Sequence, residues 1–293
     1  MSPLETLAAL LVALLWGVQF VTSKYGVDAF PPLFFVTLRF AFVALLMLPF
    51  APRPSRPSRR EIAASAVISI FFGGLCFGLF FTGLHLGAVG LSAVIVQLTT
   101  PFTVLMAWPV LGERPSARVA LGLAVAIAGV ALAVADPGEP MPPTAAVLVA
   151  GGAAAQAFGN VLIKRLGPLR PLRLIGWLSL FTVPQVGLAS WMLERGQMAA
   201  LDAAGPLAWL SLAYAVLFGA ILAFGLWFWL IERATLARVA PFALLQTVFA
   251  ILAGIVFLGE GVTLPLVLGA SICIAGVVLT QAGAPAKPRR NPA

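Results

Sequence analysis

Ten stretches of about 20 predominantly apolar residues follow one another with only short joints between them: 4–24, 31–50, 61–83, 88–111, 115–135, 143–165, 170–193, 206–231, 236–258 and 263–282. Twenty helical residues cross the hydrocarbon core of a bilayer, and a chain built of such stretches has little else to fold into. Only 10% of the residues are charged, against roughly 25% in soluble domains. The expected class is therefore an all-α polytopic membrane protein with ten transmembrane helices. Pro, Gly and charged residues mark the joints, as in "APRPSRPSRRE" and "DPGEPMPP". The first stretch lacks a basic start and exceeds the ~7–15-residue apolar core of a signal peptide, so it is expected to remain as the first span.

Charge placement sets the orientation. Arg53, Arg56, Arg59, Arg60, Arg114, Arg118, Lys164, Arg165, Arg170, Arg173, Arg233, Arg238, Lys287, Arg289 and Arg290 all fall on one side of this ten-span plan. The other side holds Lys24 and Arg195, and Arg39 falls inside a span. The positive-inside rule then puts both termini in the cytoplasm. The net charge of +8 does not indicate nucleic-acid binding, because the cations sit in short loops where they orient the chain. Cys76 and Cys273 lie within apolar segments and read as packing residues; no metal site or cofactor is expected.

The chain also repeats itself. "VLGERPSARVALGLAVAIAGVAL" (110–132) matches "FLGEGVTLPLVLGASICIAGVVL" (257–279) at an offset of 147, with Gly122 on Gly269. More weakly, at an offset near 140, Trp16, Phe20 and Lys24 fall on Gln156, Asn160 and Lys164. Repeats of five spans, an odd number, enter the membrane in opposite senses. The expected units are 1–138, 139–283 and a basic cytoplasmic tail, 284–293. Inverted repeats of this kind belong to transporters, with the substrate near the midplane between the halves.

These residues resemble a known family. "GLHLGAVGLSAVIVQLTTPFTVLMAWPVLGERPS" (83–116) is similar to the EamA-type repeat of the drug/metabolite transporter superfamily: a span rich in small residues, a mid-span Pro, then a closing "LGE". "FGLWFWLIERATLARVAPFALLQTVFAILAGIVFLGEG" (224–261) resembles the second copy, with Val248 where the Pro is expected and Pro241 earlier. The "LLWGVQF" start and the aromatic-rich spans look most like the YddG-type amino-acid exporters. The resemblance implies ten helices around a central cavity and export of amino acids, aromatic or neutral, or related metabolites.

Polar residues inside spans are the candidate site. In "QLTTPF" (97–102), Pro101 lacks an N–H and is expected to leave the carbonyl near residue 97 unpaired, and Gln97 shares its face. That face is expected to line the cavity and flex there; packing by interhelical hydrogen bonds is the alternative. Gln246, next to Thr247 in the second copy, falls on Thr99 and is a further candidate. Gln156 and Asn160 share a face of the sixth span, and Trp16 and Phe20 share one of the first. Amides in one half and aromatics in the other suit a zwitterion with an apolar side chain.

Lys24 and Lys164 end these stripes, where they either snorkel or gate. Arg39, near mid-span, either satisfies backbone carbonyls or contacts substrate charge. His85 is the lone histidine and a possible proton step. Trp227, with Trp229, marks the inner end of the eighth span as a belt anchor or gate. The ten carboxylates fall at span ends or in loops, where Glu113 and Glu260 are expected to end helices or pair across loops. Facilitated export by alternating access is therefore expected, ahead of a proton-coupled antiporter, a broader drug exporter or a channel. An intramembrane enzyme lacks its catalytic pairs, and there is no P-loop. The expected partners are a small-molecule substrate and the lipid bilayer; a monomer meets the plan, and nothing sets the oligomeric state.

Overall fold

A computed structural model describes residues 2–50, 58–112, 114–136, 141–166, 171–233 and 236–282. Among them the regular structure is helical throughout. In chain order it comprises α1 (Pro3–Ala29), α2 (Pro32–Phe50), α3 (Arg59–Ile68), α4 (Cys76–Leu86), α5 (Val89–Val96), α6 (Thr99–Leu111) and α7 (Ala117–Val134). Then follow α8 (Pro143–Leu166), α9 (Pro171–Leu193), the short α10 (Gln197–Ala203), α11 (Pro206–Val216), α12 (Ala223–Arg233), α13 (Leu236–Ala253) and α14 (Leu264–Ala282). Three π-helical segments join or extend these: Ser69–Leu75 between α3 and α4, Leu217–Leu222 between α11 and α12, and Gly254–Leu258 after α13. Seven of the described helices are long and apolar enough to cross a membrane, and Pro32–Met47, Phe242–Leu258 and Leu264–Thr280 are shorter apolar helices.

Local chemistry accounts for the helix ends. Ser2 and Glu5 form a reciprocal capping box, and Ser58 accepts the Glu61 N–H at 3.1 Å. The "LGE" closures contribute through their glycines. Gly112 (φ 75°) and Gly259 (φ 68°) take the left-handed conformation that ends α6 and the helical run of α13. Glu113 lies outside the described residues. Glu260 caps a different helix: its carboxylate accepts the Val89 and Gly90 N–H groups at 2.5 and 2.9 Å. Glu194 does the same for Leu33 and Phe34 at the start of α2, at 2.7 and 3.0 Å. A carboxylate at a helix N-terminus also meets the positive end of the helix dipole.

The principal helix pairs are α7 with α14, α2 with α9, α1 with α13 and α4 with α8. The first is a glycine seam. A Cβ on Gly122 would sit 2.7 Å from the Gly276 carbonyl oxygen, and one on Gly276 would sit 2.7 Å from that of Gly122. Gly129 and Gly269 approach each other in the same mutual way, at 2.6 Å in each direction. Small residues let backbones meet without lipid between them, and dispersion then holds the pair. Outward-facing positions such as Leu121, Val147, Trp191 and Val256 are apolar, as a lipid-facing surface requires.

"QLTTPF" departs from its expected shape. α5 ends at Val96, Gln97 and Leu98 form a tight turn, and a new helix begins at Thr99. Pro101 therefore sits in the first turn of α6, where its missing N–H costs nothing. The Gln97 carbonyl is paired: it accepts the Thr100 N–H at 3.2 Å. The tightened turn absorbs the loss with bonds of three-residue spacing, from Gln97 N to Val94 O (3.1 Å) and from Leu98 N to Ile95 O (3.0 Å).

The seam predicts a contrast. Gly129→Leu must push α14 away and should lower the unfolding midpoint of the purified protein in detergent by on the order of 5 °C, from about 1–3 kcal/mol of overpacking. Gly225→Ala, at a glycine with open space around its Cβ position, should leave it nearly unchanged. Equal midpoints for the two variants would refute the close approach.

Candidate functional site: a central cavity

Helices from both halves of the chain surround a cavity of about 260 Å³. α1 contributes Trp16, Gln19, Phe20 and Ser23, at the i, i+3, i+4, i+7 spacing of one helix stripe. Arg39 comes from α2, and Cys76, Phe77 and Phe80 from α4. The broken α5–α6 region presents Val96, Gln97, Thr99 and Thr100. α8 adds Gly152, Ala153 and Gln156; Gly219, Phe224, Ala243 and Gln246 complete the lining. The tight turn at 97–98 is what turns Gln97, Thr99 and Thr100 to a common side.

Several lining groups are tied to the frame. The Trp16 indole N–H donates to the Gly219 carbonyl at 3.2 Å, inside the second π-helical segment. π-Helical turns recur at functional sites because they widen a helix and re-aim its carbonyls. The Thr99 hydroxyl reaches the Val96 carbonyl at 2.7 Å and the Gln156 side-chain oxygen at 3.2 Å, linking α6 to α8. Aromatic rings run on from the wall: Phe20 meets Phe80 at 5.5 Å, Phe80 meets Phe81 at 5.1 Å, and Phe77 meets Phe40 at 5.2 Å.

Three lining residues carry buried polar atoms without a partner among the described residues: Ser23 Oγ, Arg39 Nε and Nη1, and Gln97 Nε2. Arg39 is only 2% exposed. Satisfaction of backbone carbonyls, one of its two expected roles, is not what these two nitrogens do. The guanidinium lies instead over rings, 4.6 Å from the Phe77 centroid, 5.6 Å from Phe81 and 5.8 Å from Phe40.

Of the residues singled out in the sequence, Trp16, Phe20, Arg39, Gln97, Gln156 and Gln246 line this one cavity. Pro101 is buried in α6 and Asn160 half-buried on α8, both beside the lining and not in it. Lys164 is exposed near the end of α8. Trp227 stands behind Trp16, ring to ring at 5.4 Å. Lys24 and His85 meet at one end of the bundle. Lys24 Nζ donates to the His85 carbonyl at 2.5 Å and pairs with Asp28 at 3.3 Å, while His85 Nδ1 lies 3.0 Å from the same Asp28 oxygen. Tyr25 donates to the Phe257 carbonyl at 2.7 Å, which joins α1 to the run after α13. Sequence reasoning missed Gln19, Ser23 and Phe80. The first two were findable, since they complete the stripe of Trp16 and Phe20 with polar groups.

A bundle of long apolar helices around a cavity with a mixed polar and aromatic lining is what a membrane transporter requires. The chain belongs to the EamA-like transporter family, whose model matches residues 4–135 and again 143–281. It is 30% identical over 292 residues to a Salmonella typhimurium protein described as a "Probable amino-acid metabolite efflux pump", covering 97% of this chain and 96% of that one. An Escherichia coli protein of the same description is 29% identical over 292 residues, with the same shares covered. The E. coli "Uncharacterized inner membrane transporter YedA" is 25% identical over 280 residues, 94% of this chain and 90% of its own. A protein crystal structure, 18% identical, superposes with a TM-score of 0.62 over 94% of this chain and 95% of that one, a likeness of fold.

An unpaired buried amide costs stability in a protein that needs it only for function. Gln97→Leu should therefore hold or raise the unfolding midpoint while cutting transport by on the order of 10-fold. A lowered midpoint would mean that Gln97 is packing glue.

Proposed function

We propose that the protein exports amino acids and related small metabolites across the bacterial inner membrane by alternating access, without proton coupling. The observation that carries this reading is the cavity, about 260 Å³, just below the usual range for small-molecule pockets of roughly 300–1,000 Å³. Amides, hydroxyls, aromatic rings and one arginine line it, and no Asp or Glu is among its described lining residues. A carrier that exchanges protons commonly keeps a carboxylate in the membrane. The description of the two efflux-pump relatives supports the substrate class.

In this reading the ten spans form two inverted five-helix repeats, within 1–138 and 139–283, with both termini cytoplasmic. The helix pairing supports it. Exchanging each span for its counterpart five spans away turns α1 against α13 into α8 against α5–α6, and α4 against α8 into α11–α12 against α1, all pairs that are present. The glycine seam pairs with itself under the same exchange. The exchange also carries the π-helical segment Ser69–Leu75 onto Leu217–Leu222, at matching places in the third and eighth spans. Interrupted helices in matching positions of two halves are a mark of transporter sites.

Two measurements follow. In liposomes holding the purified protein, uptake of labelled neutral and aromatic amino acids should saturate, speed up with unlabelled substrate on the other side, ignore a pH gradient and fall at least about 10-fold in Gln97→Ala. Flux that follows the gradient would make it an antiporter; unsaturable flux, a channel; drug flux alone, a broader exporter. For orientation, Ala199→Cys on α10 should react with an impermeant maleimide in intact cells, and Arg59→Cys only after permeabilisation. The reverse pattern would invert the topology.

A further inference from the structure

Three unpartnered polar groups of the cavity have a common demand. Arg39 Nε and Nη1 and Gln97 Nε2 are hydrogen-bond donors, and Ser23 Oγ can donate too. All three residues are more than nine-tenths buried, with exposures of 2%, 6% and 1%. Nothing among the lining residues neutralises the cation. No Asp or Glu is there, and Arg39 has no ion pair among the described residues. A buried charge with no partner is far costlier than a paired one, and three aromatic faces meet only part of that cost. The missing acceptors have to arrive with the cargo.

We propose that Arg39 is the anion-binding residue of the cavity and takes the carboxylate of the transported molecule, with Ser23 and Gln97 as further donors and the rings of Phe20, Phe77 and Phe80 around its apolar body. This rests on the reading of the cavity as the transport site. A planar guanidinium with several donors matches a carboxylate, and low dielectric strengthens the pair. The consequence for specificity is asymmetric. The carboxylate has a dedicated charged partner, whereas an α-ammonium group meets only neutral amides, hydroxyls and ring faces. Those serve an ammonium, a hydroxyl or a keto oxygen almost equally. The substrate class is therefore compact carboxylates with an apolar or aromatic body, whether or not they carry an α-amino group.

The test compares three probes on the full-length purified protein: phenylalanine, 3-phenylpropionate, which lacks the amino group, and phenylalaninamide, which lacks the carboxylate. Binding is read by tryptophan fluorescence, to which Trp16 in the wall contributes, and transport in liposomes. Phenylpropionate should bind within about 3-fold of phenylalanine, and the amide on the order of 100-fold more weakly. Arg39→Met should weaken both acids by a similar factor, leave the amide unchanged and not lower the unfolding midpoint. Arg39→Lys should recover most of the acid binding. An amide that binds as well as the acids, a deaminated acid that is rejected, or Arg39→Met with wild-type acid binding would each overturn the proposal. The wild-type probe series decides the matter even if Arg39→Met does not fold. If none of the three probes binds or is carried, the amino-acid reading itself falls. If the amide alone is carried, the export reading stands and the anion site does not.

Discussion

A chain in lipid must pair every backbone N–H and C=O internally, and this requirement governs the rest of the structure. It explains why the described segments are helical, and it makes each departure from a regular helix informative. The departures here are few: the tight turn at Gln97 and Leu98 and the three π-helical segments. The turn at 97–98 closes its own bonds at three-residue spacing, and Gly219 in the second π-helical segment has its carbonyl engaged by the Trp16 indole. Two of these irregular segments border the cavity, through Gln97 and through Gly219, and there protein groups compensate for them. Gln97, Thr99 and Thr100 converge there because the helix has been broken, not in spite of it.

The same requirement divides the labour between rigid and movable contacts. The α7–α14 seam brings backbones together through Gly122, Gly129, Gly269 and Gly276 and contributes no residue to the cavity lining. Its tight, apolar packing suits a fixed axis. The cavity walls come instead from α1, α2, α4 to α6 and α8, from Gly219 and Phe224, and from Ala243 and Gln246 of α13. At one end of the bundle α1 also makes polar contacts, Lys24 and Asp28 with His85 and Tyr25 with the Phe257 carbonyl, beside the buried Val27 and Phe30. Polar, partly exposed contacts exchange with water at little net cost, whereas a glycine seam cannot part without opening a void. The polar contacts at that end are the ones that water can replace; the glycine seam is the one that must last.

Much of this was legible in the sequence, because apolar runs and their punctuation follow directly from the bilayer. The expected spans 88–111 and 143–165 lie within a residue of the helical runs Val89–Leu111 and Pro143–Leu166. The "LGE" motif was legible as a repeat but not as mechanics. That Gly112 and Gly259 are left-handed caps, and that Glu260 reaches across to α5, depends on chain segments far apart in sequence. Trp16, Phe20, Gln97 and Gln156 could be picked out as polar or aromatic anomalies in apolar spans. Pro101 and Asn160 were anomalies too, yet they stand beside the cavity. Their positions depend on the register shift at 97–98 and on the rotation of α8, neither of which local periodicity carries. Ser23 was overlooked because a serine in a span usually bonds its own backbone, and here its hydroxyl does not.

The placement of charge bears on the transport cycle. The carboxylates described at span ends serve local structure: Glu194 and Glu260 cap helices, Asp28 binds Lys24, and Glu61 lies 3.8 Å from Arg173. Among the described residues none lines the cavity, and Arg39 is the charged residue in its lining. If the cargo supplies the anion, the loaded and empty carriers differ sharply in the cost of closing. Open to either side, Arg39 is hydrated. Closed around a carboxylate, it is paired; closed around nothing, it is a buried cation stripped of water. A conformational equilibrium responds to that difference, so the occluded intermediate is stabilised by cargo and disfavoured without it. Such a carrier crosses readily when loaded and reluctantly when empty, which is the behaviour of an exchanger. In that case the behaviour follows from one arginine that has no acid opposite it among the described lining residues.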